Sequence, residues 1–252
     1  MIISVIGKKG SKATAQLVKF TNVTRYTKKC DFVVNYGLTG ERFANFVSKF
    51  PSLVSKPIIN RHIGKNKFDV LQDVNNLGIV TVPASYRSLP IGARKSKFIV
   101  KKYHSIAGKG IAMATTRGSL QDKYYQRFID NRRYELRVHG FLWTTKQDWL
   151  VQKRIGSPDA IAWNFHQGGK FQTIHNPNNF RIFKEARDIT EKILKMRRMA
   201  FGAVDFIVTD EYGLIFLEVN SAPGFTEVSR PAYVKNFNKL TLLSKMEINS
   251  II

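Results

Sequence analysis

The sequence predicts a mixed α/β (α+β) protein, and three observations carry that prediction. Short apolar runs alternate with amphipathic helical stretches over roughly the first 60 residues. From Phe98 onward the middle of the chain is rich in strand-like segments. A strongly amphipathic stretch, Glu185 to Met199, then precedes two strand-like runs joined by a turn sequence, Ala203 to Asn220.

Taken in order, Ile2 to Ile6 read as a short buried strand and Ala13 to Phe20 as a helix. Gly7-Lys8-Lys9-Gly10 between them lacks the Gly-Lys-Ser/Thr ending of a Walker loop and reads as a basic turn. Phe32-Val33-Val34 is a second strand, and Glu41 to Phe50 a helix stopped by Pro51. Lys65 to Leu77 places Phe68, Leu71, Val74 and Leu77 on one helical face and ends at Gly78, a residue suited to a helix C-terminus. Ile79 to Val82 is expected as a strand before Pro83. Further strands are expected at Phe98-Ile99-Val100, Tyr134 to Leu142 and Trp149 to Lys153. Glu185 to Met199 carries Ile189, Ile193 and Met196 on one face, and Tyr233 to Met246 reads as a final helix.

Of the 252 residues, 43% are hydrophobic, which suits one large domain or two small ones. No apolar run approaches the ~20 residues of a membrane span. The start, MIISVIGKKGSK, has too short an apolar run for a secretory signal. A single cysteine, Cys30, excludes an internal disulfide and a Cys-rich zinc site, and makes the cytoplasm the natural compartment, a host's cytoplasm if the protein is virus-encoded. Charge is the unusual feature: 41 Lys and Arg against 18 Asp and Glu give a formal +23. Such a field attracts polyanions: nucleic acid, nucleotide phosphates, an acidic protein tail or an anionic membrane. The alternative is a solvated basic surface with no dedicated partner.

The segment AVDFIV-TDEYG-LIFLEVN is a hairpin with turn chemistry at Asp210 to Gly213. If Thr209 pairs with Leu214, Asp205 lies opposite Glu218, and Glu218 shares a face with Asn220. Two opposed carboxylates repel, and a hard divalent cation removes that cost. Oxygen donors without His or Cys point to Mg²⁺ or Mn²⁺. An ordinary solvent-facing hairpin is the other reading.

Leu217-Glu218-Val219-Asn220-Ser221-Ala222-Pro223-Gly224-Phe225 resembles the Glu-x-Asn-x-x-Pro-Gly signature of the ATP-grasp superfamily, and Gly202-Ala203-Val204-Asp205 resembles that family's Gly-x-Asp strand. The resemblance implies that Asp205, Glu218 and Asn220 bind the Mg²⁺ that carries ATP. Phe98 to Lys102, followed by His104-Ser105-Ile106-Ala107-Gly108-Lys109-Gly110, is similar to the family's strand and glycine-rich lid, which implies ATP contacts from Lys101, Gly108, Lys109 and Gly110. Tyr125-Gln126-Arg127-Phe128-Ile129-Asp130 resembles the hinge that reads adenine, implying backbone contacts near Gln126, Arg127 and Phe128 and a ribose ligand in Asp130; Arg127 departs from the usual acidic residue.

Tyr134-Glu135-Leu136-Arg137-Val138 resembles the family strand whose arginine, here Arg137, stabilises the transferring phosphoryl group. Lys153-Arg154, Asn164 and Gly168-Gly169-Lys170 resemble a stretch of the ribosomal-protein glutamate ligases, implying roles for Arg154 and Asn164. His166 and His175 are candidate general bases, although a lone histidine is more often structural. The similarity runs from about Asn60 to Glu227. It implies an ATP-grasp fold, two α+β subdomains clasping ATP, over 61–252, preceded by a shortened N-terminal α/β domain over 1–60. It further implies an ATP- and Mg²⁺-dependent carboxylate–amine ligase that works through an acyl-phosphate, with its carboxylate and amine unidentified. A nucleic-acid acceptor, or a non-enzymatic nucleic-acid binder, are the rival readings that the charge keeps open.

Overall fold

The computed structural model describes every residue except 62, 65, 105–109, 158–159, 164–167, 175–176, 225 and 252. The apolar run at the start forms β1 (Ile3–Gly7), followed by α1 (Lys12–Phe20), whose first turn is capped by the Ser11 hydroxyl. Next come β2 (Thr24–Arg25), β3 (Phe32–Tyr36), α2 (Gly40–Lys49) and β4 (Ile58–Ile59). These strands make a parallel sheet of order β2-β1-β3-β4. Every residue of β3 is buried, as expected of a parallel strand covered on both faces.

Helix α3 (Lys67–Leu77) begins at an Asn66 cap and ends at Gly78 in the left-handed conformation, φ +66°. The strand expected at Ile79 to Val82 is reduced to a single bridge, Thr81 to Ile215. Pro83 follows at once, and a proline cannot donate to a continuing ladder. A roof sheet then forms from β5 (Ser85–Tyr86), β6 (Phe98–Lys102), β7 (Ala112–Met113) and β8 (Lys123–Arg127), in the antiparallel order β5-β8-β6-β7.

A floor sheet follows, built from β9 (Tyr134–Phe141), β10 (Leu150–Ile155), β11 (Lys170–Thr173), β12 (Phe201–Thr209) and β13 (Gly213–Asn220), antiparallel in the order β11-β10-β9-β12-β13. Helix α4 (Arg181–Met196) lies on one face of it. The approach is close at Gly140, where a Cβ would sit 2.7 Å from Leu194 Cδ1. The single helix expected near the C-terminus is two: α5 (Arg230–Leu242) and α6 (Lys245–Ser250). Ser244 and Glu247 form a capping box that starts α6 afresh. No helix among the described residues is long and apolar enough to cross a membrane.

The parallel sheet and the floor sheet share one core. Ile3, Val5, Val34 and Tyr36 belong to the same buried cluster as Phe141, Phe201, Phe216 and Phe237. Tyr36 stacks on Phe201 with centroids 5.6 Å apart. Asn60, at φ +59°, is buried between them, donating to the Phe201 carbonyl and accepting from the Ala200 N–H.

Candidate active site

Alternation along β6 sends Phe98 and Val100 outward against Leu89, Ala114 and Tyr125. Ile99 and Lys101 therefore face inward, where both line a cleft of about 380 Å³ between roof and floor. Lys101 is buried and donates to Gln126 Oε1 at 3.0 Å. Burial pushes its pKa down to about 8, against the opposing pull of Glu218. The other polar atom of that amide, Gln126 Nε2, is buried without a partner and belongs to a cleft-lining side chain.

Directly opposed residues of the floor sheet share a face, so its register sets a row of charges. Arg137 pairs with Asp205 and Asp205 with Glu218. Near its turn the hairpin aligns Thr209 with Gly213, not with Leu214. A bulge after Asp205 takes up one extra residue on β13, so the opposition of Asp205 and Glu218 is restored by Leu217. Arg137 grips the fully buried Asp205 through two bonds of 2.6 Å. Burial alone would lower the Arg137 pKa, but Asp205 outweighs it and holds the guanidinium charged. Glu218 accepts from Lys67 at 2.7 Å and from Asn220 Nδ2 at 3.2 Å. Burial would raise its pKa, yet Lys67 and Lys101 hold it far below the usual carboxylate range.

A second row lies beside the first. Arg154 pairs with Glu135 across the strands and binds it at 2.7 Å through Nε. Arg132 adds a 3.4 Å bond to the same carboxylate and lies 4.5 Å over the Trp163 ring. Burial raises the Glu135 pKa and Asp205 adds to that, while Arg154 and Arg132 oppose it. Phe171 is sandwiched against both Arg137 and Arg154, at 5.3 and 5.1 Å.

The cleft therefore gathers Lys101, Gln126, Arg127, Phe128, Arg137, Arg154, Glu218 and Asn220 from the sequence-based candidates. Asp205 lies just beneath it, reached through Arg137. Gly108, Lys109, Asn164, His166 and His175 lie outside the described residues. Gly110, at φ +76°, packs beside the Lys102 side chain. Asp130 is exposed, pairs with Lys97 at 3.3 Å and is not a lining residue. In the hinge, the Arg127 and Phe128 N–H groups already serve the roof, donating to the Ala84 and Lys97 carbonyls at 2.8 Å. Among the described residues Ile129 N–H makes no hydrogen bond, so it is the free backbone donor there.

Lys67, Arg132 and Trp163 join the cleft from outside the sequence-based candidates. Lys67 could have been found, since a basic residue directly after a helix cap points out of the helix start. Arg132 follows no local pattern, because its partners at 135, 160 and 161 meet it only through the fold.

As a donor set for a cation, Asp205, Glu218 and Asn220 are hard oxygen ligands on adjacent strands. Among the described residues no three His, Cys, Asp or Glu side chains form a metal cluster. The set is thus a partial shell that phosphate oxygens would complete, and it fits Mg²⁺ held jointly with a nucleotide better than a resident structural metal.

Two antiparallel sheets closing on a cleft lined by a buried roof lysine and a carboxylate–amide floor define an ATP-grasp architecture. A family model for the ATP-grasp domain matches residues 64–225, and the chain belongs to that family. No curated protein matches it in sequence. Among solved structures it is similar to the macrocyclase MdnC of Microcystis aeruginosa MRC, bound with precursor peptide MdnA, at 14% identity and TM-score 0.60 over 99% of this chain and 100% of that one. It is similar to the ATP-grasp ligase PsnB complexed with minimal precursor, at 12% identity and TM-score 0.61 over 94% and 96%. It also resembles the VanG D-Ala:D-Ser ligase of Enterococcus faecalis, at 16% identity and TM-score 0.60 over 91% and 75%. At such identities the likeness is one of fold, and the fold is that of the ATP-grasp ligases.

Proposed function

We propose that this protein is an ATP-dependent carboxylate–amine ligase whose carboxylate substrate belongs to a peptide or protein. The observation that carries the reading is the row Arg137–Asp205–Glu218 facing Lys101 across one cleft. It gathers cations and hard oxygen donors where a triphosphate needs both. Ile99, Ile207 and Leu217 supply apolar walls for a base, and Gln126 Nε2 and Ile129 N–H supply free donors. In this reading residues 1–60 are a shortened N-terminal domain and 61–252 the ATP-grasp domain.

Asp205, Glu218 and Asn220 would hold Mg²⁺ or Mn²⁺, which neutralises phosphate charge when bound. Lys101 and Arg137 stabilise charge on the γ-phosphoryl group as a substrate carboxylate oxygen attacks phosphorus and ADP departs. An amine then attacks the acyl carbon, phosphate leaves, and the amine gives up a proton. Arg154, anchored on Glu135, orients the phosphorylated intermediate. The sequence resemblance also gives Gly108, Lys109, Gly110 and Asn164 a part in binding the nucleotide. The precursor peptides bound to MdnC and PsnB support a peptide substrate. The +23 charge favours a second reading, an acceptor carried on nucleic acid.

The test is the spent nucleotide. Incubation with Mg·ATP, acidic peptides and pooled amines should release ADP and phosphate, resolved by chromatography. AMP as the main product overturns the mechanism, because adenylation transfers a different phosphate.

A further inference from the structure

The floor sheet ends at β11, which among the described residues is paired on one side only, with β10. The register tells which of its backbone groups are spare. Gln152 stands opposite Thr173 and Arg154 opposite Phe171, and the Ile174 N–H donates to the Val151 carbonyl at 2.9 Å. Hydrogen-bonded and non-hydrogen-bonded pairs alternate along an antiparallel ladder. Val151 and Ile174 are a bonded pair, so Lys153–Gln172 and Ile155–Lys170 are bonded pairs too. Phe171 and Thr173 then belong to the non-bonded pairs, and their N–H and C=O groups point away from β10 toward the outer edge.

The side chains at the same two positions lie on the cleft face. Phe171 lines the cleft and packs on Arg137 and Arg154. Thr173, two residues on, shares that face. Its Oγ1 is buried and has no hydrogen-bond partner among the described residues. Lys170 and Gln172 point the other way and are exposed. The edge therefore offers four main-chain groups and a spare hydroxyl beside the cleft, and a strand edge of this kind is a template for another strand.

An added antiparallel strand can meet this edge in one way. The residues opposite Phe171 and Thr173 each exchange two hydrogen bonds with it, and their side chains fall on the cleft face. Neighbouring strands lie about 4.8 Å apart, so the residue opposite Phe171 stands about 10 Å from the Arg154 backbone, a gap that a glutamate and an arginine side chain close between them. Charge selects the occupant. Six Lys and Arg side chains line the cleft against two carboxylates, Glu135 and Glu218, so acidic side chains fit it.

We propose that β11 is the docking edge for the substrate: an extended acidic peptide segment joins the floor sheet as an antiparallel sixth strand, with its alternate carboxylates on the face of Arg154. This rests on the reading of the protein as a ligase for a peptide carboxylate, and adds how that peptide is held and in which register.

A fluorescein-labelled hexapeptide of alternating glutamate and threonine tests it, by polarisation with the whole chain. Its glutamates take the cleft face, so their amides are the ones that bond β11. N-methylation of the glutamates should weaken binding at least about tenfold, the size of one or two lost hydrogen bonds. N-methylation of the threonines, whose amides face outward, should leave it within about threefold. Thr173→Pro removes one outward N–H and the spare hydroxyl but keeps the Gln172 and Ile174 bonds to β10, and proline is tolerated on edge strands. That variant should also bind the peptide more weakly, with its circular dichroism unchanged. If it fails to fold, the methylated peptides decide on the wild type alone. Equal or reversed losses for the two methylated peptides overturn the added strand, as does a wild type that binds neither them nor the parent peptide. A dimer seen by ultracentrifugation and lost in Thr173→Pro gives the edge to a second copy and overturns the proposal too. A protein that shows the expected pattern but binds no Mg·ATP by calorimetry keeps the docking edge and overturns the ligase reading instead.

Discussion

Residues 84–127, which make the roof sheet and its loops, contain ten basic residues and one acidic one. Arg94, Lys95, Lys102 and Arg117 are exposed there, and none forms an ion pair among the described residues. On the floor sheet two pairs of charges are instead withdrawn from water and matched, Arg137 with Asp205 and Arg154 with Glu135. The contrast separates two uses of charge. Buried charges need partners to offset desolvation, so each position is tied to a neighbour and to geometry. Exposed charges keep their water, cost little and act mainly through long-range attraction. The +23 total is therefore no measure of the site's chemistry, which depends on a handful of nearly balanced pairs.

The largest expected effect comes from breaking the balance on the floor. Glu218→Gln keeps the shape and removes one charge from between Lys67, Lys101 and Asn220. The fold should persist, while Mg·ATP affinity falls at least about tenfold and turnover about 10²–10³-fold, the loss typical of one electrostatic contact in a transition state. Equal affinity by calorimetry in mutant and wild type would remove Glu218 from the metal set.

A middle-sized effect concerns Lys101, which among the described lysines of the roof is the one buried like a floor residue. Its folded pKa, about 8, lies below the 10.5 of an unperturbed lysine. Between those values the unfolded chain binds a proton that the folded one does not, so stability should rise with pH across that window. At pH 7 the buried charge is a net cost, and Lys101→Met should stabilise the fold by about 1–3 kcal/mol. Thermal melts from pH 7 to pH 10.5 should show a rising curve for the wild type and a flatter one for the variant. The same substitution should weaken Mg·ATP binding, and wild-type affinity should fall as pH rises through about 8. Parallel melts for both proteins would show that Lys101 carries no such cost.

The smallest effect belongs to the exposed charges. Reversing Arg94, Lys95 and Arg117 to Glu should leave Mg·ATP binding within about twofold, since screening reaches enclosed contacts weakly. Binding of a glutamate-rich peptide should weaken in that variant, and in wild type as salt shrinks the screening length from about 10 Å at 0.1 M to about 3 Å at 1 M. A single-stranded oligonucleotide, measured alongside by filter binding, should lose affinity with a slope of about −0.7 per phosphate contacted. Salt-independent binding of either probe would leave the roof charge as a solvated surface.

The sequence made the fold's periodic parts legible: α3 with its Asn66 and Gly78 ends, the long strands and the hairpin. The short strands β2, β4, β5 and β7 were not, because two residues carry no period. Ile79 to Val82 has strand-like residues, but Pro83 leaves it one bridge. At the site, charged residues inside recognisable patterns stood out, as Arg137 and Glu218 did. Arg132 did not, because its carbonyl partners at Ala160 and Ile161 lie 28 and 29 residues away and meet it only when the chain folds.

The bulge at Leu217 has a consequence for how the hairpin can vary. Pairing runs in one frame from Phe206 to the tip and in another, one residue offset, from Asp205 toward Gly202. The reading frame of the ligand-bearing half is thus set at the bulge and by β9, not by the turn. Tyr212, half-exposed, lies in the tip between the paired residues Thr209 and Gly213. Lengthening or shortening that tip changes the outer frame alone, so the hairpin's end is free to diverge while Asp205 and Glu218 stay face to face.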